Sequence, residues 1–251
     1  MRKTASQEII YGRQPVLELL RADRREIKRV VMFHRVRVSE PIKSIRKLTR
    51  SKGLPLEEVD HPALDRLVGG VNHQGVAAET GGYPYVSMEN LNLKECDGEP
   101  LWLLLDRIQD PQNLGAIFRS ADAAGVDAVF IPSERAAGVT PAVTRASAGA
   151  SEHIRVCRVE NLPTTLSRLR EQGCIVCGMD GGPESVSYTE ADMRGPLAVV
   201  IGGEGEGMSR QVRRNCDFLV KLPMRGKVNS LNAAAATAVT LYEILRRRGI
   251  S

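Results

Sequence analysis

Aromatic side chains are scarce in this chain: one Trp, five Tyr and four Phe stand among 251 residues. A broad platform for stacking bases is therefore not expected. His34, His61, His73 and His153 are the only histidines and lie scattered along the sequence, so no metal site is implied. The five cysteines, Cys96, Cys157, Cys174, Cys177 and Cys216, are an odd number without framework spacing, which argues against a disulfide scaffold. Cys174 and Cys177 match a C-x-x-C pattern, but they lie in an apolar, β-rich run. Residues three apart on a strand face opposite ways, which defeats a shared metal or a disulfide. Core thiols in a reducing compartment are expected. No apolar run approaches membrane-spanning length. The opening Met-Arg-Lys-Thr-Ala-Ser-Gln-Glu has no apolar stretch behind its charges, unlike a signal peptide. Internal repeats and low-complexity tracts are missing too. The expectation is a soluble, cytoplasmic protein with one large domain or two ordinary ones.

Charge is present but unevenly spread. Residues 1–52 hold 15 Lys+Arg against 5 Asp+Glu, and the other 199 residues hold 20 against 25. A basic N-terminal third on a near-neutral body points to a polyanion such as RNA or DNA. Arg13, Arg21, Arg24, Arg25, Lys28, Arg29, Arg35 and Arg37 are the candidate phosphate contacts, and binding through them should weaken steeply with salt.

Residues 1–80 alternate in type. Gly12–Leu20 reads as a helix with Pro15 in its first turn, Arg29–Phe33 as a strand and Pro41–Ser51 as a basic helix. Leu54–Val59 reads as a strand, Pro62–Val68 as a short helix and Gln74–Glu79 as a strand, making a small αβαβαβ domain. Residues 81–98 read as a linker, opened by Gly81-Gly-Tyr-Pro. In residues 99–251, strands are expected near 101–105, 128–131, 154–159, 175–179, 197–201 and 218–221. Helices are expected near 113–125, 141–148, 162–172 and 229–248. Such alternation predicts an α/β domain with a parallel sheet covered on both faces.

Three clusters in this second region can carry chemistry. The first is Asp106-Arg-Ile-Gln-Asp-Pro-Gln-Asn-Leu-Gly-Ala-Ile-Phe-Arg119. An apolar strand stops at a polar turn, and a helix starts near Asn113 and carries Arg119 about two turns in. An open α/β sheet places its ligand crevice at such a junction, although a capped amphipathic helix accounts for the spacing equally well. The second is Ile201-Gly-Gly-Glu-Gly-Glu-Gly-Met208, where glycines after a buried strand allow close approach of a ligand to the backbone. It is neither a Walker A loop nor G-x-G-x-x-G, and its carboxylates repel phosphate, so a neutral or cationic ligand suits it better than ATP or NAD. The third is Leu222-Pro-Met-Arg-Gly-Lys-Val-Asn-Ser-Leu-Asn232. It leads into an alanine-rich helix whose first turn Ser230 and Asn232 can cap and whose small side chains permit close packing.

Taken together, Asp110–Ala121, Ile201–Met208 and Leu222–Asn232 resemble the SpoU/TrmH branch of the SPOUT methyltransferases, in the family's order and with its separations. Tyr11–Leu20 and Asn72–Val76 are similar to the N-terminal substrate-binding domain of the subgroup that methylates a guanosine of large-subunit (23S) ribosomal RNA. The resemblance implies a small α/β RNA-binding domain like a ribosomal protein (1–80), followed by a SPOUT catalytic domain (99–251) whose C-terminal segment is tied in a deep trefoil knot. It implies S-adenosylmethionine as cofactor, contacted by Gly202, Leu222, Met224 and Leu231. It implies methyl transfer to a ribose 2′-hydroxyl by Asn113, Arg119, Glu204, Ser230 and Asn232, in a homodimer. A guanidinium is essentially never deprotonated in proteins. Arg119 is accordingly expected to grip a phosphate and stabilise alkoxide charge, oriented by Asn113 and Glu204. Transfer RNA as substrate, and a non-catalytic RNA-binding paralogue, are the rival readings.

Overall fold

The computed structural model describes residues 7–91, 98–205 and 207–250. Cys96, the middle of the expected linker and the first six residues lie outside them. The chain forms two compact units that interleave in sequence: Met1–Pro84 with Val139–His153, and Tyr85–Gly138 with Ile154–Ser251. No helix among the described residues is long and apolar enough to cross a membrane.

With elements numbered along the whole chain, the first unit contains β1 (Glu8–Tyr11), α1 (Arg13–Ala22), β2 (Ile27–Phe33), α2 (Glu40–Ser51), β3 (Leu56–Val59), α3 (His61–Val68) and β4 (Val76–Thr80). Their sheet runs β1-β4-β2-β3, with β2 and β3 parallel and β4 antiparallel to both neighbours. The expected alternation is present, with one addition. β1 is only four residues long and follows a charged stretch, so its strand character comes from pairing with β4 rather than from a periodic run. In α2 the stripe Ile42, Ile45 and Thr49 is buried, which leaves Lys43, Lys47 and Arg50 outward. Val16, Leu19 and Leu20 of α1 meet it across one apolar core.

Residues from much further along the chain complete this unit: helix Pro141–Ala146 and a 3-10 turn, Ala150–Glu152. Glu152 is buried and takes both ends of a fork from Arg25, Nη2 to Oε1 at 2.7 Å and Nε to Oε2 at 2.8 Å. Arg25 Nη1 reaches Glu8 at 2.7 Å, and the guanidinium lies 4.8 Å from the centre of the Tyr83 ring. Burial holds the Glu152 carboxyl above its usual range, and Arg25 offsets only part of that rise.

The second unit is a seven-stranded sheet in the order β7-β6-β5-β10-β8-β11-β9, and every pairing is parallel. Its strands are β5 (Leu101–Asp106), β6 (Ala128–Pro132), β7 (Val156–Val159), β8 (Ile175–Met179), β9 (Val186–Ser187), β10 (Leu197–Gly202) and β11 (Phe218–Lys221). All six residues of β5 are buried. Trp102 and Leu104 join a core with Phe130, Val200 and Leu166, while Leu101, Leu103 and Leu105 point to the other face. A strand covered on both sides must read as a continuous apolar run. The helices are α4 (Pro111–Ala123), α6 (Leu162–Glu171), α7 (Arg210–Arg213) and α8 (Ala233–Arg247), with Pro141–Ala146 counting as α5. The two-residue β9 and four-residue α7 are too short to leave a period in the sequence.

Helix starts differ from expectation. α4 begins at Pro111 because Asp110, not Asn113, is its cap, accepting from the Gln112 N–H at 3.0 Å. Proline is pre-shaped for the first helical position. α8 begins at Ala233 rather than near 229, with Asn232 as its cap.

Cys157, Cys174 and Cys177 are buried, and burial pushes the Cys157 thiol up to about 11 and the partly buried Cys216 up to about 12, with Cys177 raised as well. Thiolate is the reacting form. At pH 8, iodoacetamide should therefore label Cys157 and Cys177 on the order of 100-fold more slowly in the native protein than after unfolding. Mass spectrometry of the labelled peptides checks this, and fast native labelling would show that these side chains are open to solvent.

Candidate functional site

The sheet order puts β5 beside β10, while the chain leaves β5 in the opposite direction toward β6. This is a topological switch point, where the loops at the carboxyl ends of two neighbouring strands diverge and leave a crevice. Asp106 and Gly202 are the paired last residues of β5 and β10. The turn into α4 therefore stands directly beside the glycine loop.

That loop is set by close backbone contact. A Cβ on Gly202 would lie 2.2 Å from Met208 N and 2.3 Å from Gly207 C, and one on Gly203 would lie 2.5 Å from Arg107 O. Asp106 Oδ2 accepts from the Ser209 N–H at 2.7 Å, and Arg107 Nη2 donates to Gly207 O at 3.3 Å. Asp106 and Arg107 thus clamp the loop from the end of β5. Sequence reasoning missed both residues. The available signal was a carboxylate closing an apolar run, and a buried charge needs a partner.

A cavity of about 890 Å3 opens over the carboxyl ends of β8, β10 and β11. Gly202, Leu222, Met224 and Leu231, the four expected cofactor contacts, all line it, as do Glu204, Ser230 and Asn232. Asp180 also lines it and brings a second carboxylate that the sequence did not single out. At its edge three side chains converge from three elements. Asn113 Nδ2 donates to Glu204 Oε1. Asn232 Nδ2 donates to Asn113 Oδ1 at 2.9 Å and to Glu204 Oε1 at 3.2 Å. Asn232 Oδ1 accepts from the N–H groups of Ala234 and Ala235, so the residue that caps α8 also ties the cluster together.

Arg119 does not join them. It is exposed, and among the described residues its side chain makes no hydrogen bond or ion pair. Six residues along a helix turn the side chain by about 240° and advance it by about 9 Å, so Asn113 and Glu204 orient each other and not Arg119. Ser230 is at the cavity, exposed and outside the amide–carboxylate cluster.

The expected basic face also divides. Arg25 is wholly buried against Glu152 and Glu8, so it is a structural cation and not an RNA contact, because the partner that buries it lies 127 residues away. Arg21 pairs with Glu18, Lys28 and Arg29 with Glu79, and Arg24 donates to the Glu152 carbonyl. Arg13 donates to Gln74 and Ser39. Arg35 and Arg37 are exposed and have no such partner among the described residues. Nor are the histidines all scattered. His61 and His73 lie 4.8 Å apart between ring centres and share Asp65, because the turn before β4 folds back on α3.

Residues 100–242 match the model of the SpoU rRNA Methylase family, and residues 9–86 match that for RNA 2'-O ribose methyltransferase substrate binding. A Bacillus subtilis protein assigned by name to the TrmH family of tRNA/rRNA methyltransferases, YacO, is 40% identical over 243 residues, 96% of each chain. The 23S rRNA (guanosine-2'-O-)-methyltransferase RlmB of Pseudomonas putida is 40% identical over 247 residues, covering 97% of this chain and 98% of that one. Among solved structures, the AdoMet-bound rRNA methyltransferase from Sinorhizobium meliloti superimposes with a TM-score of 0.80 at 25% identity, over 96% of this chain and 87% of that one.

Proposed function

The chain belongs to the SpoU rRNA methylase family, and from that premise we propose that it methylates the ribose 2′-hydroxyl of a guanosine in 23S ribosomal RNA. It is an RNA 2′-O-methyltransferase of the TrmH/SpoU kind. The RNA class rests on similarity to RlmB over almost the whole of both chains and on the matching substrate-binding residues 9–86.

The observation that carries the reading is the cluster Asn113–Glu204–Asn232 at the edge of the glycine-loop cavity. S-adenosylmethionine supplies a methyl group on a positively charged sulfur. The residues present fit it: Gly202 and Gly203 leave no room for side chains, and Asp180 and Glu204 add negative charge to the lining. Gly202, Leu222, Met224 and Leu231 would hold the cofactor. A ribose hydroxyl is a very weak acid and must give up its proton as it attacks. Asn113 and Asn232 both donate to Oε1 of Glu204, which fixes the carboxylate and leaves Oε2 to accept from that hydroxyl. Arg119 lies along α4 where it can grip the adjoining phosphate bidentately, and Ser230 shapes the rim.

Two further features follow from the same reading. Val239 and Tyr242 of α8 are 42% and 55% exposed, which supports a dimer formed through that helix. Leu222–Met224 and Asn229–Asn232 line the same cavity as the glycine loop, which supports a threaded C-terminal segment. Ribosomal RNA as substrate implies a cytoplasmic enzyme.

Labelled S-adenosylmethionine with unmodified 23S rRNA and, separately, tRNA tests the function. Label at the 2′-oxygen of one guanosine in 23S rRNA is expected. Label only on tRNA would move the substrate class, and label on a base would overturn ribose methylation. Gly202→Ala should weaken S-adenosylmethionine binding by roughly 10- to 100-fold in calorimetry, the effect of about 1–3 kcal/mol of overpacking. The Cβ meets backbone that cannot rotate away. Gly181→Ala, which lines the same cavity at a position without positive φ and with nothing within 4 Å of the added Cβ, should weaken it by less, and equal losses at both positions would count against the close-packed cradle.

A further inference from the structure

The N-terminal unit has a concavity of its own, about 420 Å3, whose lining includes Phe33, Arg35, Arg37, Asp65, Asn72 and Gln74. Its size is in the range of small-ligand clefts, and its chemistry is one-sided. Asp65 is the carboxylate among its lining residues, and both of its oxygens are engaged, Oδ2 with His61 Nδ1 at 2.7 Å and Oδ1 with His73 Nε2 at 3.0 Å. The Gly75 N–H donates to His73 Nδ1 at 2.9 Å, which places the ring proton on Nε2, where it points at Asp65. His73 therefore offers no lone pair to a metal, and guanidinium groups around the rim repel a cation.

Acceptors are used up elsewhere as well. Gln74 Oε1 accepts from the Arg13 N–H at 3.0 Å and from Arg145 Nη1 at 3.3 Å, and Asn72 Oδ1 accepts from the Gln74 N–H at 3.3 Å. These bonds set both amides with their NH2 ends outward as donors. They also hold Gln74 in a left-handed conformation, φ 55°, that a side-chain-bearing residue seldom adopts. Strain of this kind persists only where surrounding contacts enforce it, and it clusters at ligand clamps. Arg35 and Arg37 bring two cations that no carboxylate among the described residues neutralises. A concavity rich in donors and cations, with its acceptors spent, selects an anionic ligand covered in acceptors.

We propose that this concavity grips a backbone phosphate of the RNA substrate, with Arg35 and Arg37 as its cationic jaws and the amides of Asn72 and Gln74 as neutral donors. The proposal rests on RNA being the substrate, and the two are separable by experiment. The full-length Arg35→Ala/Arg37→Ala enzyme is compared with wild type on transcribed 23S rRNA over a salt series. The KM for RNA is expected to rise at least about tenfold, and the slope of log KM against log salt to fall by about 0.7–0.9, the loss of one phosphate contact. The kcat and the S-adenosylmethionine Kd should stay within twofold. Lys47→Ala/Arg50→Ala, which removes the same charge from the exposed side of α2, should change KM less than threefold. An unchanged KM and slope in the first variant, or an equal rise in the second, would overturn the grip. A wild type that methylates no RNA removes the RNA reading, and this grip with it.

Discussion

Glu204→Gln is expected to lower kcat by about 10²–10⁴, the usual worth of a positioned general base, while the S-adenosylmethionine Kd changes by less than about tenfold. Glutamine keeps the carbonyl oxygen to which Asn113 and Asn232 donate, so the cluster can persist with its charge removed. What disappears is the carboxylate oxygen left over by those two bonds. The modest change in cofactor affinity follows because one charge near an open, watered cavity contributes about a kcal/mol to attraction of a cation. Single-turnover methylation of 23S rRNA, with cofactor affinity by calorimetry, separates the two effects. A rate within threefold of wild type would remove Glu204 from proton transfer and leave that task to water.

Arg25→Met should destabilise the N-terminal unit by about 3–5 kcal/mol, the usual result of removing one partner of a buried pair. The remaining Glu152 is enclosed, with its carboxyl already pushed up by burial. Without the guanidinium, its other side-chain partner here is the Thr144 hydroxyl, at 3.3 Å. Arg25→Met/Glu152→Leu should recover most of the loss, because an apolar pair of similar volume is often neutral or stabilising in place of a buried ion pair. Denaturant midpoints of the four species in this cycle measure the coupling. A single-variant loss below about 1 kcal/mol would mean that water reaches Glu152 readily. RNA affinity of Arg25→Met, measured far below the unfolding transition, should remain within twofold of wild type, since the side chain has no exposed surface. Loss of one charge from the salt dependence would instead restore Arg25 to the RNA-binding face.

These two residues also mark where reading the sequence succeeds and where it stops. β5 is legible because burial on both faces demands an unbroken apolar run, Leu101–Leu105. The sequence puts the α4 start near 113, two residues late, because Asn113 is as good a cap by type as Asp110, and only Pro111 favours the earlier one. Asn113, Glu204 and Asn232 stand 91 and 28 residues apart. No local pattern joins them, so their association came from family resemblance and their hydrogen bonds from the fold. Arg25 misled for a physical reason: a cation in a basic run reads as solvated unless its counter-ion can be seen, and Glu152 is far away in sequence. His61 and His73 were separated for the same reason, until the turn at Asn72–Gly75 brought them onto one carboxylate.

The interleaving of the two units has a consequence for how the protein is made. The helix Pro141–Ala146 and Glu152 belong with the first unit, yet a ribosome delivers them only after β5, α4 and β6 have been synthesised. Until then Arg25 has an incomplete counter-ion and the N-terminal sheet lacks part of its cover. Domains usually mature in the order of synthesis. Here the first unit must wait in an unfinished state while the middle of the chain emerges. An excised fragment ending at Pro84 inherits that same deficit permanently, so the portable form of this module is one in which Val139–His153 is grafted back on.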